Sequence, residues 1–204
     1  MGADLSYPAW KRVTDIFGAI VGMAVFAPFF PIVIAAIKVD TRGPAFVRCK
    51  RISGGREIEV YKFRSMVKDA AEIRDKLMPL NERADGPFFK IKNDPRVTRV
   101  GRVIRKFRID EFPQLFNVLK GEMALVGPRP HEPQEVSKYP EEYAHIALCT
   151  AGLTGLSQVS GASSLNWLKE LSLDDFYVKN RSPLLDMKIM ARTIAIFVSD
   201  PTGV

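Results

Sequence analysis

Residues 16–37 read IFGAIVGMAVFAPFFPIVIAAI, 22 residues without a formal charge. As continuous helix the run is roughly 33 Å long, about the hydrocarbon thickness of a bilayer. A stretch this apolar is not left in water, and a buried core helix explains its length poorly, so it points the chain to a membrane. A cleaved signal peptide also fits poorly: the run exceeds the usual apolar signal region, and no small-residue cleavage site follows. Two features oppose a simple crossing. Pro28 and Pro31 fall within the run, where each lacks an amide donor and crowds the preceding turn, which predicts a break near Ala27-Pro28. Both flanks are basic, with Lys11 and Arg12 before the run and Lys38, Arg42, Arg48, Lys50 and Arg51 after it. A helix that enters, bends and returns keeps both flanks on the cytoplasmic face, whereas a span places one of them on the unfavoured side. The pattern predicts a re-entrant helix, with a kinked single span as the alternative.

The 204 residues suffice for one core plus an appendage. A net charge of +7 favours anionic partners, among them nucleic acid, phospholipid headgroups and phosphorylated or nucleotide-bearing small molecules. Cys49 and Cys149 lack metal-ligand spacing and define no disulfide framework. With only His131 and His145 beside them, a zinc site has little material, and any metal is expected to be a hard cation held by carboxylates and phosphates.

Past the apolar run, Phe46 and Val47 on one side of Gly54-Gly55 and Ile58, Val60, Tyr61 and Phe63 on the other predict a two-stranded hairpin. Ser65 is placed to cap a helix carrying Met66, Ala70, Ile73 and Leu77, ended by Pro79 and the polar stretch NERADG. A basic segment follows, from Lys90 through Arg96, Arg99 and Arg102 to Arg108, which reads equally as a solvated face or a membrane collar. In RKFRIDEFPQLFNVLKGEMALVGPRP, residues 105–130, Phe112, Leu115, Phe116 and Leu119 form an apolar stripe that puts Asp110 and Glu111 in the first turn of a helix. Acids are favoured there by the helix dipole alone, so capping and catalysis both fit. Adjacent helical residues diverge by about 100°, so the two carboxylates need not share a task. A carboxylate attacking a pyrophosphate needs cations to offset like-charge repulsion, and the neighbouring arginines supply them. The two prolines of Gly127-Pro128-Arg129-Pro130 stiffen a turn around Arg129, whose guanidinium suits phosphate or a nucleobase edge and is equally at home on a plain structural turn. Near the C-terminus, Leu184, Leu185, Met187, Ile189, Met190, Ile194, Ile196 and Phe197 interleave with Lys188 and Arg192, as expected of a core helix or of one lying at a membrane interface.

Taken together, the apolar hairpin, Lys62-Phe63-Arg64-Ser65-Met66, Asp94-Pro95-Arg96-Val97-Thr98, residues 105–130 and the turn from Gly152 to Gly161 resemble a small monotopic phosphoglycosyl transferase, or bacterial sugar transferase, across nearly the whole chain. The resemblance implies an α/β monotopic membrane protein: an N-terminal re-entrant kinked helix region over residues 1–40, then a phosphoglycosyl transferase domain over 41–204 with a small β-hairpin and interfacial amphipathic helices. It implies transfer of a phosphosugar from a UDP-sugar to polyprenyl (undecaprenyl) phosphate with release of UMP, at the cytoplasmic face of a bacterial inner membrane. By the same resemblance Asp110 is the nucleophile that forms a covalent aspartyl phosphosugar, and Glu111, with Asp110, is a Mg2+ ligand or site organiser. Arg105 and Arg129 are expected to hold phosphate or nucleotide, as are Lys62 and Arg64 with Asp94 less directly, while Asp174 is either structural or part of the site.

The implied partners are the donor, the lipid acceptor and the phospholipid bilayer, with a homo-oligomer or pathway glycosyltransferases as further candidates. No nucleic acid is expected, since no recognition module accompanies the basic surface. Where the family has a hydroxyl residue before the kink proline, this chain has Ala27; where it has proline before the Gly-Thr-Gly-type turn, Ala151; and where it has an arginine after the next glycine, Ala162. The last change predicts either another cation in that role, such as Arg181, or an inactive homologue or assembly scaffold.

Overall fold

The computed structural model describes residues 6–83, 85–161 and 164–199, so Ala162 lies outside the described residues. In chain order the elements are α1 (Ala9–Phe26), α2 (Phe30–Asp40), β1 (Phe46–Ser53), β2 (Arg56–Phe63), α3 (Ala70–Arg74), α4 (Arg99–Lys106), α5 (Leu115–Lys120), β3 (Ala124–Val126), α6 (Pro133–Val136), β4 (Gly152–Thr154), α7 (Leu156–Val159), α8 (Trp167–Asn180) and α9 (Pro183–Ser199). Strands β1 and β2 form an antiparallel hairpin with Ser53 opposite Arg56. Gly54 and Gly55 make its turn at φ of 58° and 73°, the left-handed region that a two-residue hairpin loop demands. A second, parallel pair joins β3 to β4, with Val126 opposite Thr154.

The apolar run is interrupted where its prolines predict. Helix α1 stops at Phe26, a single 3-10 turn covers Ala27–Phe29, and α2 starts with Pro31 in its first turn, where a missing amide costs least. Ala19 on α1 is fully buried against Ile58, Val60, Leu115, Val118 and Met123. Burying side chains such as Leu115, Val118 and Met123 stabilises by roughly 1.5–3 kcal/mol each. Ile37 on α2 packs with Ala45, Phe63 and Ile104. Between these anchors Ile20, Val21, Val25, Phe29 and Ile32 remain exposed, as does Phe17 just before Ala19.

Polar groups fasten both ends of this segment to the same body. Arg12 donates to the Val118 and Leu119 carbonyls at 2.6 and 2.7 Å, supplying donors to the carbonyls at the end of α5. Lys11 Nζ pairs with Asp186 of α9 at 2.6 Å, and Asp15 accepts from the Leu125 amide at 2.9 Å. At the far end, Asp40 accepts from the Val100 amide at 3.0 Å. With entry and exit held on one body and one apolar face between them left uncovered, the segment has the geometry of a re-entrant, monotopic helix rather than a span.

Two local expectations are corrected. Ser65 does not cap a helix: its carbonyl accepts from the Thr98 amide at 3.1 Å, and the following chain forms only α3 and a 3-10 turn over Asp75–Leu80. The Thr98 side chain instead caps α4 by accepting from the Gly101 amide at 2.9 Å. Asp110 and Glu111 open a 3-10 turn, Ile109–Gln114, and not an α-helix; Pro113 has no amide to close an α-helical bond there, and α5 begins only at Leu115. In the C-terminal helices Tyr177, Val178 and Ile189 join the core, while Leu184, Met187 and Ile194 leave an exposed apolar face on α9.

The crossing of α4 over Ser65 leaves no room for a side chain, since a Cβ on Gly101 would lie 1.9 Å from the Ser65 carbonyl oxygen. Backbone cannot yield as a flexible side chain can. Gly101→Ala is expected to destabilise the protein by about 1–3 kcal/mol, read as a lowered denaturation midpoint in detergent; an unchanged midpoint rejects this packing.

Candidate active site

Helix α4 delivers Arg105 in its last turn, and the 3-10 turn that follows delivers Asp110 and Glu111. From β2 comes Lys62, whose Nζ donates to Glu111 Oε1 at 2.8 Å. Beyond β3 the Pro-Arg-Pro turn brings Arg129, its amide held by Asp174 Oδ2 at 3.2 Å. These residues, Asp174 excepted, line one cavity of about 340 Å3, a volume suited to a small ligand. Arg51, Arg83 and Arg108 add further positive charge to its walls.

The two carboxylates differ in environment. Asp110 is 9% exposed, and burial raises its pKa above the ordinary carboxylate range; the charge of Lys62 opposes this and that of Glu111 adds to it. Burial acts on Glu111 in the same direction, but the charge and hydrogen bond of Lys62 outweigh it, aided by Arg129 and Arg108, and its pKa falls below that range. With its side chain 35% exposed, Glu111 is ionised and reachable from the cavity. Behind the Pro-Arg-Pro turn, burial pushes Asp174 up to about 7, and the nearby charge of Glu170 adds to the rise. Asp174 is therefore a support for the Arg129 backbone rather than a wall of the cavity.

No group of three or more His, Cys, Asp or Glu placed to hold a metal occurs among the described residues. What the site does offer is the adjacent pair Asp110 and Glu111, the latter kept ionised. One or two carboxylates completed by substrate phosphate oxygens is the usual manner of binding Mg2+, so the residues fit a cation shared with a phosphate ligand and not an all-protein cage.

Other candidates from the sequence lie elsewhere. Arg64 is 4% exposed and donates to the Arg42 and Thr41 carbonyls at 2.6 and 2.8 Å, closing the loop after α2. Asp94 pairs with Arg96 at 2.6 Å, and Arg181 donates to the Ser6 carbonyl at 2.5 Å. Neither lines the cavity. In turn, sequence reasoning missed the end of the cavity formed by Arg83, Phe88, His131, Glu135 and Glu170. There the Arg83 guanidinium lies 4.5 Å from the Phe88 ring centroid, and the Phe88 and His131 ring centroids are 5.0 Å apart. The only signal for it was the aromatic pair Phe88-Phe89 beside a basic run, which does not say what it will face.

Fold and site define a class: a protein seated in one face of a membrane, with two unlike carboxylates set among cations in one cavity. The sequence profile of the bacterial sugar transferases matches residues 6–200, and the chain belongs to that family. It is 36% identical over 188 residues to the exopolysaccharide production protein ExoY of Rhizobium meliloti, covering 90% of this chain and 83% of that one. Identity is 38% over 190 residues with the undecaprenyl-phosphate galactose phosphotransferase of Salmonella typhimurium and 36% over 189 residues with the UDP-galactose-lipid carrier transferase of Erwinia amylovora. Each of these two alignments covers 91% of this chain but 40% of the relative, so the chain spans about two-fifths of their length.

Proposed function

We infer that the chain transfers a phosphosugar from a UDP-sugar to undecaprenyl phosphate, with Asp110 as nucleophile. The observation that carries this reading is the buried Asp110 beside Lys62 and Glu111, in a cavity walled by Arg105, Arg108 and Arg129. Family membership and the lipid acceptors named for two relatives support the substrate class. In the first step an Asp110 carboxylate oxygen bonds to the phosphorus that carries the sugar, the bond from that phosphorus to the bridging oxygen breaks, and UMP leaves. A phosphate oxygen of the lipid then attacks the same phosphorus, and Asp110 departs as carboxylate, giving the polyprenyl diphosphosugar. Lys62, Arg105 and Arg129 offset the repulsion between an anionic nucleophile and an anionic substrate. Burial leaves Asp110 poorly solvated, and hence more reactive once ionised, while the lowered pKa of Glu111 keeps it charged as an organiser. Asp110 and Glu111, with donor phosphate oxygens, would hold Mg2+, which would supply charge neutralisation for the displacement. Residues 1–40 hold this machinery at the membrane, where a soluble donor and a lipid phosphate meet, and residues 41–204 supply it.

The test is incubation of the membrane-reconstituted protein with Mg2+, undecaprenyl phosphate and each of several UDP-sugars. Lipid-dependent UMP release with at least one donor is expected; none with any donor overturns the reading.

A pH dependence follows. Only ionised Asp110 attacks, so donor-only labelling should fall as pH drops through its raised pKa, at a pH above the ordinary carboxylate range. Lys62→Met removes the charge that favours both carboxylates as anions, and it should move this acid limb upward by about 1 unit or more. An unmoved limb in the variant separates Lys62 from the nucleophile.

A further inference from the structure

Arg108 joins the site of the catalytic reading to a depression that this reading leaves unused. It lines the cavity of Asp110 and also a second, smaller one of about 20 Å3, formed with Phe107, Gln158, Val159, Thr193, Ile196 and Phe197. That volume is far too small to enclose a ligand, so an apolar chain would lie across it rather than inside it. The depression also has an apolar route to the membrane segment. The Phe197 ring is 6.1 Å from Phe112 by centroid, and Phe112 stacks at 3.8 Å on Phe26, the last residue of α1 before the break.

The backbone at Arg108 points the same way. Its φ is 50°, and it is the one non-glycine residue among those described with positive φ. Arg108 follows the C-cap of α4, the position where helices commonly end in a left-handed glycine. Helix termination alone would be served better by glycine, which adopts this conformation without a Cβ clash. An arginine there is explained by what its side chain does, and that side chain lines both cavities.

Resting on the transferase reading, we propose that Arg108 binds the phosphate of the lipid acceptor while the first apolar units of that lipid lie across Phe107, Ile196 and Phe197. The acceptor phosphate then arrives at the wall shared by the two cavities, beside the phosphorus it must attack, and its chain leaves toward the apolar route to the membrane. Arginine suits this role because its planar fork engages a phosphate through two parallel hydrogen bonds.

The test compares wild type with Arg108→Gly, Arg108→Lys and Phe197→Ser. The probes are farnesyl phosphate binding to purified protein, steady-state kinetics with undecaprenyl phosphate, and partition onto phosphatidylglycerol vesicles. Arg108→Gly should weaken farnesyl phosphate binding and raise the KM for undecaprenyl phosphate by about 10-fold or more, a larger factor than any rise in the KM for the UDP-sugar. Arg108→Lys should fall between the two, and Phe197→Ser should raise the lipid KM alone. Glycine relieves the backbone, so the denaturation midpoint of Arg108→Gly should match or exceed that of wild type. Unchanged farnesyl phosphate affinity in Arg108→Gly overturns the proposal. So does a loss of vesicle partition equal to the loss in lipid affinity, which would assign Arg108 to ordinary headgroups. A wild type that binds farnesyl phosphate through Arg108 but turns over no donor refutes the transferase reading and leaves the lipid-phosphate site standing.

Discussion

Asp110→Asn is expected to abolish the covalent adduct and to lower turnover by at least about 10³-fold, the scale seen when a nucleophile that works as part of a unit is removed. Asparagine keeps the shape of the buried side chain and loses the anion, so the donor and acceptor surfaces of the cavity are retained. Stability separates this from a folding defect. A carboxyl whose folded pKa is raised destabilises the protein when ionised; the penalty is absent below the unfolded pKa and complete above the folded one. At neutral pH the neutral variant should therefore melt at or above the wild-type temperature while losing its chemistry. Intact-protein mass after incubation with donor alone reads the first step: one phosphosugar mass on wild type and none on Asp110→Asn. Full turnover by a native-like Asp110→Asn would sink the nucleophilic role, and an adduct mapped to Glu111 would reverse the two assignments.

The second large effect concerns how the membrane segment is mounted. Lys11 and Asp186 have side chains 2% and 9% exposed, with Nζ and Oδ2 at 2.6 Å. The Tyr177 hydroxyl lies 2.7 Å from Asp186 Oδ1 and 3.1 Å from the Val126 carbonyl oxygen, its single proton shared between the two acceptors, so α1, α8, α9 and β3 meet at one point. Removing one member of a buried pair strands the other charge, which costs about 3–5 kcal/mol; replacing both by apolar groups avoids that penalty. Lys11→Met should thus lower stability in detergent by about 3–5 kcal/mol, and Lys11→Met with Asp186→Leu should recover only part of it, because the buried Asp15, 3.9 Å from Lys11 Nζ, loses its cation in both variants. A loss below about 1 kcal/mol in the single variant would show that solvent or lipid headgroups reach Asp186. Neither residue lines the catalytic cavity, so turnover per folded molecule in the double variant should stay near wild type.

What could be read in advance tracks how local each interaction is. The break at Ala27–Phe29 and the Gly54-Gly55 hairpin were legible because proline lacks a donor and glycine tolerates positive φ wherever they stand. Asp110 and Glu111 were visible as an acid pair at the start of a turn, yet spacing alone left capping and catalysis equal. The helix after Ser65 was misread because a long-range bond, Thr98 to the Ser65 carbonyl, competes for that backbone. The resemblance implied site roles for Arg64 and Asp94, and the sequence around them does not show which groups they face. Their partners, the Thr41 and Arg42 carbonyls and Arg96, sit in a loop and a turn outside the cavity.

By itself the sequence determined that this protein meets a membrane through a broken apolar helix and that it carries an adjacent acid pair among arginines. Composition, proline and charge act locally and need no fold to act. Tertiary structure alone decided that both ends of that helix are fastened to one body. It also decided which cations face Asp110, and it gave Asp110 and Glu111 pKa values displaced in opposite directions. The reason is that burial and charge proximity are properties of folded space: Lys62 lies 49 positions from Glu111 in the chain and 2.8 Å from it in the protein.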